Sequence, residues 1–312
     1  MGCAESTVVP TYDAGDPEEC TFTNKKDLKI TYWAWKASEK PKAYLIGLHG
    51  ICSHARQEWM SFPGQKYEGG WAQKIPQENI SFFGIDHQSH GVSEGWKGYR
   101  CAFESFDDLV DDAQQLLSIV AEKRKNENPS APIFVMGLSM GGCVAALLAE
   151  RDLPDLSGTI LLAPMLALEE VKKKPVNKIL LPISSMISAL TPNLAVAAGK
   201  EPNLQFPDLE AEVEKDPLFY NGLVRARVAR ECLRVVDVVQ QAAPKLTKPL
   251  IIFHAKSDTQ CEPDGSRFLM TNALNCPDKT LNELEYGFHM LAGEPDNEKT
   301  LGEIVSWIES HL

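Results

Sequence analysis

Ser139 stands at the centre of Gly137-Leu138-Ser139-Met140-Gly141, between an apolar β-type run, Ile133 to Met136, and a helix-forming segment that continues to Asp152. These residue types predict a strand, a sharp turn and a helix, with the serine hydroxyl exposed at the helix N-terminus. Backbone N–H groups and the helix dipole favour developing negative charge there, so the chemistry expected of Ser139 is nucleophilic attack. Glycine is required on both sides because the strand and helix backbones approach closely. The five-residue pattern alone is weak, since Gly91-Val92-Ser93-Glu94-Gly95 matches it as well. Ser93, however, follows the polar segment DHQSH and runs into WKGYR, with no strand before it and no apolar helix after it. Ser139 is therefore the expected nucleophile.

A serine hydroxyl is a poor nucleophile at its own pKa and needs a base, which in turn needs an orienting acid. A serine on such an elbow takes its partners in the chain order acid, then histidine, each on a loop at the C-terminal end of a strand. Asp258 follows the strand-like run Pro249 to Phe253, and His289 follows Thr280 to Glu285. The competitors are Asp264, beyond Pro263 at a helix start, His254, still at a strand end, and His311, on the terminal helix. His49 and His54 read as residues that shape a loop, and Asp86 with His87 and His90 as a hydrogen-bonded turn. No second acidic cluster supports a metal there, and the expected reaction requires no cofactor.

The elements that must position these residues alternate. Thr21 begins a hairpin with its turn at Asn24-Lys25-Lys26 and a strand from Leu28 to Trp35; Ala43 to Leu48, Ile80 to Ile85 and Gly158 to Leu162 are further strands. Ser105-Phe106-Asp107-Asp108 is a capping-box-like start to a helix whose apolar face includes Leu109, Val110, Leu116 and Leu117. The accounting predicts an α/β fold, a mainly parallel central sheet flanked by helices. Between Pro164 and about Leu246 the alternation gives way to helical patterns, so a helical cap covering about 165–246 is expected after the sixth strand. Within it, 179–199 carries no charge, but prolines and polar residues argue against a membrane span. It reads either as a buried cap helix or as a lid whose face around Leu180, Ile183, Met186, Ile187 and Leu190 lines an apolar pocket or touches lipid.

With 312 residues, one large domain (21–312) with an insertion is expected. A net charge of -12 argues against a nucleic acid partner and against a polybasic membrane patch. The eight cysteines lack C-x-x-C spacing, which fits reduced thiols in a cytoplasmic protein. Residues 1–20 read as a disordered leader without the apolar segment of a secretory signal. Met1-Gly2-Cys3-Ala4-Glu5-Ser6 fits the pattern for myristoylation of Gly2, with Cys3 placed for a second, palmitoyl chain. Two chains would hold the protein at the cytoplasmic face of a membrane, where one alone binds only marginally. The oligomeric state is left open.

Several segments in order, the His49-Gly50 loop with His54, FFGIDHQSHGVSEG, GLSMGG, LLAPML, KDPLFYNG, HAKSDTQCEPDGSRFL and EYGFH, resemble the monoacylglycerol lipase and lysophospholipase branch of the α/β-hydrolases, related to the S33 serine aminopeptidases. The likeness runs from about Thr21 to Leu312. It implies the α/β-hydrolase fold, a cap that forms an acyl-chain tunnel, and hydrolysis of monoacylglycerols to fatty acid and glycerol through an acyl-enzyme, with lysophospholipase or general carboxylesterase activity as the alternative and a catalytically silent lipid-binding or interaction scaffold as the alternative of another class. It also implies an oxyanion hole formed by the backbone N–H groups of Ile51 and Met140. The chain departs from the pattern at Cys52, where relatives usually carry the second glycine of an H-G-x-G loop.

Overall fold

The computed structural model describes residues 13–173, 184–197, 202–203 and 205–312. Its centre is an eight-stranded sheet in the order β1-β2-β4-β3-β5-β6-β9-β10. The strands are β1 (Glu18–Thr23), β2 (Lys29–Trp35), β3 (Ala43–Leu48), β4 (Ile80–Ile85), β5 (Ile133–Leu138), β6 (Gly158–Leu162), β9 (Leu250–Ala255) and β10 (Lys279–Leu284). From β4 to β10 every neighbouring pair is parallel; the β1–β2 hairpin and the β2–β4 pair are antiparallel.

Every residue of β3, β4, β5, β6 and β9 is buried. Helices cover both faces, so these strands read as continuous apolar runs rather than alternating ones. On one face lie α3 (Phe106–Glu127), α4 (Met140–Ala149) and α8 (Ala226–Ala242), contributing Leu109, Leu116, Val144, Leu148 and Val235. The other face is packed by α1 (Ala55–Glu58), α2 (Trp71–Gln77) and α9 (Asn297–Glu309), with Trp59, Trp71, Ile304 and Trp307. The expected capping box at Ser105 forms, its side chain accepting from Asp107 N–H while Asp108 accepts from Ser105 N–H. The edge strand β10 is polar where it is exposed, with Glu283 bound to Arg267, which blunts an otherwise open ladder.

Between β6 and β9 the described part of the insertion carries α5 (Glu169–Lys173), α6 (Ser184–Leu190), α7 (Pro207–Val213) and α8. It also holds β7 (Ala195–Ala197) and β8 (Val224–Arg225), paired antiparallel with each other. Strands of three and two residues are too short to show alternation, so the dominant helical pattern of this stretch gives no sign of them. Folded structure also begins earlier than Thr21. β1 starts at Glu18, and buried Ala14 accepts a hydrogen bond from Trp35 Nε1 at 2.7 Å. Among the described residues no helix is long and apolar enough to cross a membrane.

The strand ends converge at one edge. The loops after β3, β4, β5, β9 and β10 leave from the C-terminal ends of parallel strands, where open α/β sheets form their clefts. The β5–α4 elbow depends on two glycines. A Cβ on Gly137 would stand 2.1 Å from Gly141 O, and one on Gly141 would stand 2.1 Å from Leu48 O. We expect Gly141→Ala to lower stability by about 1–3 kcal/mol through this overpacking, read as a reduced urea midpoint at unchanged slope; an unchanged midpoint would show that the elbow can open without cost.

Candidate active site

Ser139 sits between β5 and α4 with φ 55 and ψ -116. That backbone is unfavourable for any residue with a Cβ and persists only where its surroundings impose it. Here Ser139 N–H donates to Leu162 O at 3.0 Å, while its carbonyl accepts from Met165 N–H at 2.9 Å and Cys143 N–H at 3.1 Å. Three elements thus pin the elbow. The hydroxyl meets Cys261 Sγ at 3.7 Å. It makes no hydrogen bond with the His289 ring in this structure, as catalytic contacts in free enzymes are often long before substrate binds.

Asp258 and His289 come together although 31 positions separate them: His289 Nδ1 lies 2.8 Å from Asp258 Oδ2. The other carboxylate oxygen accepts from Gln260 N–H at 2.7 Å and Cys261 N–H at 3.0 Å. Burial alone would raise the Asp258 carboxyl, but the imidazoles of His289 and His254 override it and hold the carboxyl well below the usual range. Burial would likewise lower His289, yet the facing Asp258 charge and hydrogen bond leave its pKa raised. A carboxylate on Nδ1 fixes the tautomer that leaves Nε2 open to a proton.

Two further carboxylates were not legible in the sequence. Buried Glu294 accepts from the N–H groups of Phe288, His289 and Met290 at 2.6, 2.9 and 2.8 Å, clamping the loop that carries the imidazole. Burial pushes its carboxyl up despite these donors. Glu58, also raised by burial, accepts from Gly50 N–H at 3.0 Å. Gly50 packs against the elbow, since a Cβ there would stand 3.4 Å from Ser139 Cβ. Chain position offers a signal only for Glu294, five residues beyond His289; nothing about Glu58 in α1 announces a role beneath a loop.

Ile51 follows Gly50 in that loop, and Met140 opens α4, where its N–H is one of the four donors a helix leaves unpaired. His49 holds the loop as expected: its Nδ1 lies 2.7 Å from Gly50 O and its Nε2 3.0 Å from His87 N. Burial keeps the His49 imidazole well below its ordinary pKa and presses His87 to about 3. His54 pairs with Asp216 of the cap at 3.0 Å, both side chains buried. Cys52 occupies the glycine position with φ 70, a left-handed conformation, and its carbonyl accepts from Tyr220 N–H at 2.9 Å.

The competing residues have other partners. Ser93 is a turn brace, donating to Asp86 O at 2.6 Å and accepting from Thr31 N–H at 2.8 Å. Asp264 is exposed and ion-paired with Arg267 at 2.6 Å. His311 pairs with Asp278 at 2.9 Å. His254 lies closer to the site than its strand position suggests, 3.3 Å from Asp258, with its other nitrogen 2.7 Å from Ser266 Oγ. Among the described residues no group of three or more histidine, cysteine or acidic side chains is arranged to hold a metal ion.

The cap residues expected to line a pocket or touch lipid are described only in part. Leu180 and Ile183 lie outside the described residues, as do Gly2 and Cys3. Met186 and Leu190 are 57% and 75% exposed, and Ile187 is half-buried. The residue α6 buries is Ser188, whose carbonyl accepts from Arg227 at 3.3 Å, while Ser185 Oγ accepts from Arg230 at 3.0 Å. Polar contacts to α8 decide which way the helix faces, and Met186 and Leu190 turn outward.

The sequence profile of the family described as serine aminopeptidase, S33, matches residues 39–296. A monoacylglycerol lipase of Mycolicibacterium smegmatis is 25% identical over 295 residues, covering 94% of this chain and 98% of that one. Monoglyceride lipase of Homo sapiens is 28% identical over 277 residues, covering 88% and 84%. The crystal structure of a soluble variant of monoglyceride lipase from Saccharomyces cerevisiae superposes with a TM-score of 0.78 at 18% identity, covering 97% of this chain and 96% of that one; this likeness establishes the α/β-hydrolase fold.

The charge pair has a pH signature. Its stabilising effect is greatest between the ordinary carboxylate value of 3.8 and the ordinary imidazole value of 6.5. It fades as pH rises through the raised His289 midpoint, and as pH falls through the lowered Asp258 midpoint. The His289 imidazole should titrate above 6.5 by NMR, and Asp258→Asn should move that midpoint down. An unshifted midpoint in the variant would mean that Asp258 does not set the imidazole's charge.

Proposed function

The chain belongs to the S33 serine aminopeptidase family of hydrolases, and from that premise we propose that it is a serine ester hydrolase that cleaves monoacylglycerols to fatty acid and glycerol through an acyl-enzyme. The observation that carries this reading is the strained elbow serine beside a buried carboxylate–imidazole pair, all at the strand ends of one sheet. The ester preference is supported by relatives named monoacylglycerol and monoglyceride lipase that align along nearly the whole chain.

In this mechanism His289 Nε2 takes the proton of Ser139 as the hydroxyl attacks the ester carbonyl. Asp258 holds the ring and stabilises the imidazolium. The oxyanion develops at the elbow, facing the Met140 N–H at the start of α4 and the Ile51 N–H, a position typically worth about 3–4 kcal/mol per donor. The tetrahedral intermediate collapses with proton transfer from His289 to the departing glycerol oxygen. Water, deprotonated by the same imidazole, then releases the fatty acid. Glu58 and Glu294 act as positioning residues, holding Gly50 and the His289 loop respectively.

The outward-facing Met186 and Leu190, with exposed Leu194 and Leu223 on the same insertion, support a cap that meets a lipid surface. The pocket role expected of Leu180, Ile183 and Ile187 belongs to the same proposal. Acylation at Gly2 and Cys3 would hold the enzyme where its substrate is dissolved, at the cytoplasmic face of a membrane. Lysophospholipase or general carboxylesterase activity would use the same catalytic residues, and only head-group preference separates them.

Hydrolysis of a matched panel decides: long-chain monoacylglycerols, a lysophosphatidylcholine of equal chain length and p-nitrophenyl butyrate, with Ser139→Ala beside the wild type. Monoacylglycerols should lead, and Ser139→Ala should lower turnover by roughly 10⁶. A variant with near-wild-type rates would remove Ser139 from the mechanism, and a lysophospholipid preference would move the substrate assignment.

A further inference from the structure

Cys52 and Cys101 lie in different loops, 49 positions apart, with their sulfurs 3.7 Å from each other. Neither is in a disulfide in this structure and both are buried. Each sits in a left-handed backbone conformation, φ 70 at Cys52 and φ 47 at Cys101, so neither loop has an ordinary backbone reason to place a cysteine there. Sulfur contact at this distance leaves an approach of about 1.7 Å to the 2.05 Å bond length of a disulfide. We propose that Cys52 and Cys101 form an oxidant-reactive dithiol, closed to a disulfide by a hydroperoxide, and that closure disables the oxyanion loop.

The electrostatics of the pair support this chemistry. The Cys52 thiol hydrogen-bonds the Cys101 sulfur and, against the effect of burial and with His90 alongside, holds the Cys101 thiol well below its ordinary pKa. Thiolate is the reactive form. Cys20, Cys143, Cys232, Cys261 and Cys276 are all pushed the other way by burial. That includes Cys261, although it is the thiol in contact with Ser139. Cys101 is therefore the sulfur that carries the negative charge, with the Cys52 thiol as its donor.

Cys52 adjoins Ile51 in the loop after β3 and is the residue with residual exposure, 3% against 0% for Cys101. The Cys101 thiolate attacks one oxygen of hydrogen peroxide. The O–O bond breaks, hydroxide leaves and is protonated to water, and Cys101 becomes a sulfenic acid. The Cys52 thiol then attacks the Cys101 sulfur, the S–O bond breaks, and the departing oxygen takes the Cys52 proton and leaves as water. Two thiols are oxidised by two electrons in total and one peroxide is reduced to two waters.

The consequence follows from what the two loops hold. The Cys52 carbonyl takes the Tyr220 N–H, and Arg100, beside Cys101, donates to Leu218 O. His54 takes Asp216 of the same cap segment. A bond between the sulfurs draws the oxyanion loop toward Cys101 and with it the backbone that aims the Ile51 N–H. Loss of the hole typically costs roughly 10²–10³ in turnover.

The test treats the full chain with graded hydrogen peroxide and compares wild type, Cys101→Ala and Cys101→Ser, each first matched to wild type by thermal melt. Non-reducing peptide maps are read beside hydrolysis of p-nitrophenyl butyrate, before and after dithiothreitol. Wild type should yield a Cys52–Cys101 linked peptide in step with a loss of activity of roughly 10² that dithiothreitol restores, and both variants should keep their activity at the same dose. Absence of the linked peptide at doses that oxidise other cysteines would overturn the pairing. Equal, reversible inhibition of the variants would overturn the link to activity. The inhibition rests on the ester-hydrolase reading, whereas the peptide map does not. Wild type that turns over no ester yet forms the bond would thus sink that reading and leave the dithiol standing.

Discussion

A serine at φ 55 and ψ -116 does not rest there on its own account. The backbone is held by the close approach of three elements: β3 presses Leu48 O toward Gly141, β6 accepts the Ser139 N–H through Leu162, and the turn after β6 returns Met165 N–H to the Ser139 carbonyl. Side chains at Gly137 or Gly141 would separate these elements. The parallel sheet, its buried apolar strands and the helices on both faces are what make so tight a convergence affordable. Because β3, β5 and β6 are neighbours, the loop bearing Gly50 and Ile51 lies directly beside the elbow.

Around this strained point the protein buries carboxylates and satisfies each with donors. Asp258 takes two backbone N–H groups and His289, Glu294 takes three N–H groups, Glu58 takes Gly50, and Asp216 takes His54 and the Leu218 N–H. A buried carboxylate without such partners would be neutralised or would unfold its surroundings. With them it fixes backbone direction, which is what an imidazole and an N–H donor need in order to act at a defined point. The His54–Asp216 contact carries the same logic into the cap, so the insertion is tied to the loop beside the elbow.

Much of this was legible in the sequence because the buried parallel strands β3, β4, β5, β6 and β9 are largely apolar runs ending in polar or glycine-containing loops. The strands 43–48, 80–85 and 158–162 have the boundaries expected of them. Asp258 and His289, preferred over Asp264 and His311 for their place after strand ends, do meet at 2.8 Å, whereas Asp264 and His311 have surface partners. Three things escaped. Glu58 and Glu294 work through backbone N–H groups that no side-chain pattern encodes. The strands β7 and β8 are too short to show alternation. Met186 and Leu190 have helical spacing that fits a pocket or a lipid contact alike, and which way they face depends on Arg227 and Arg230 of α8, 39 and 45 residues beyond the Ser188 and Ser185 they hold.

In the proposed mechanism Ser139 Oγ, activated by the Asp258–His289 pair, is the atom that becomes acylated. Reaction with a fluorophosphonate, followed by intact mass and peptide mapping, reads this out and needs no knowledge of the natural ester. One adduct per chain is expected, located on Ser139, with labelling slowed strongly in Asp258→Asn and absent in Ser139→Ala. Label on Ser93 or another residue, or none in folded wild type, would contradict it.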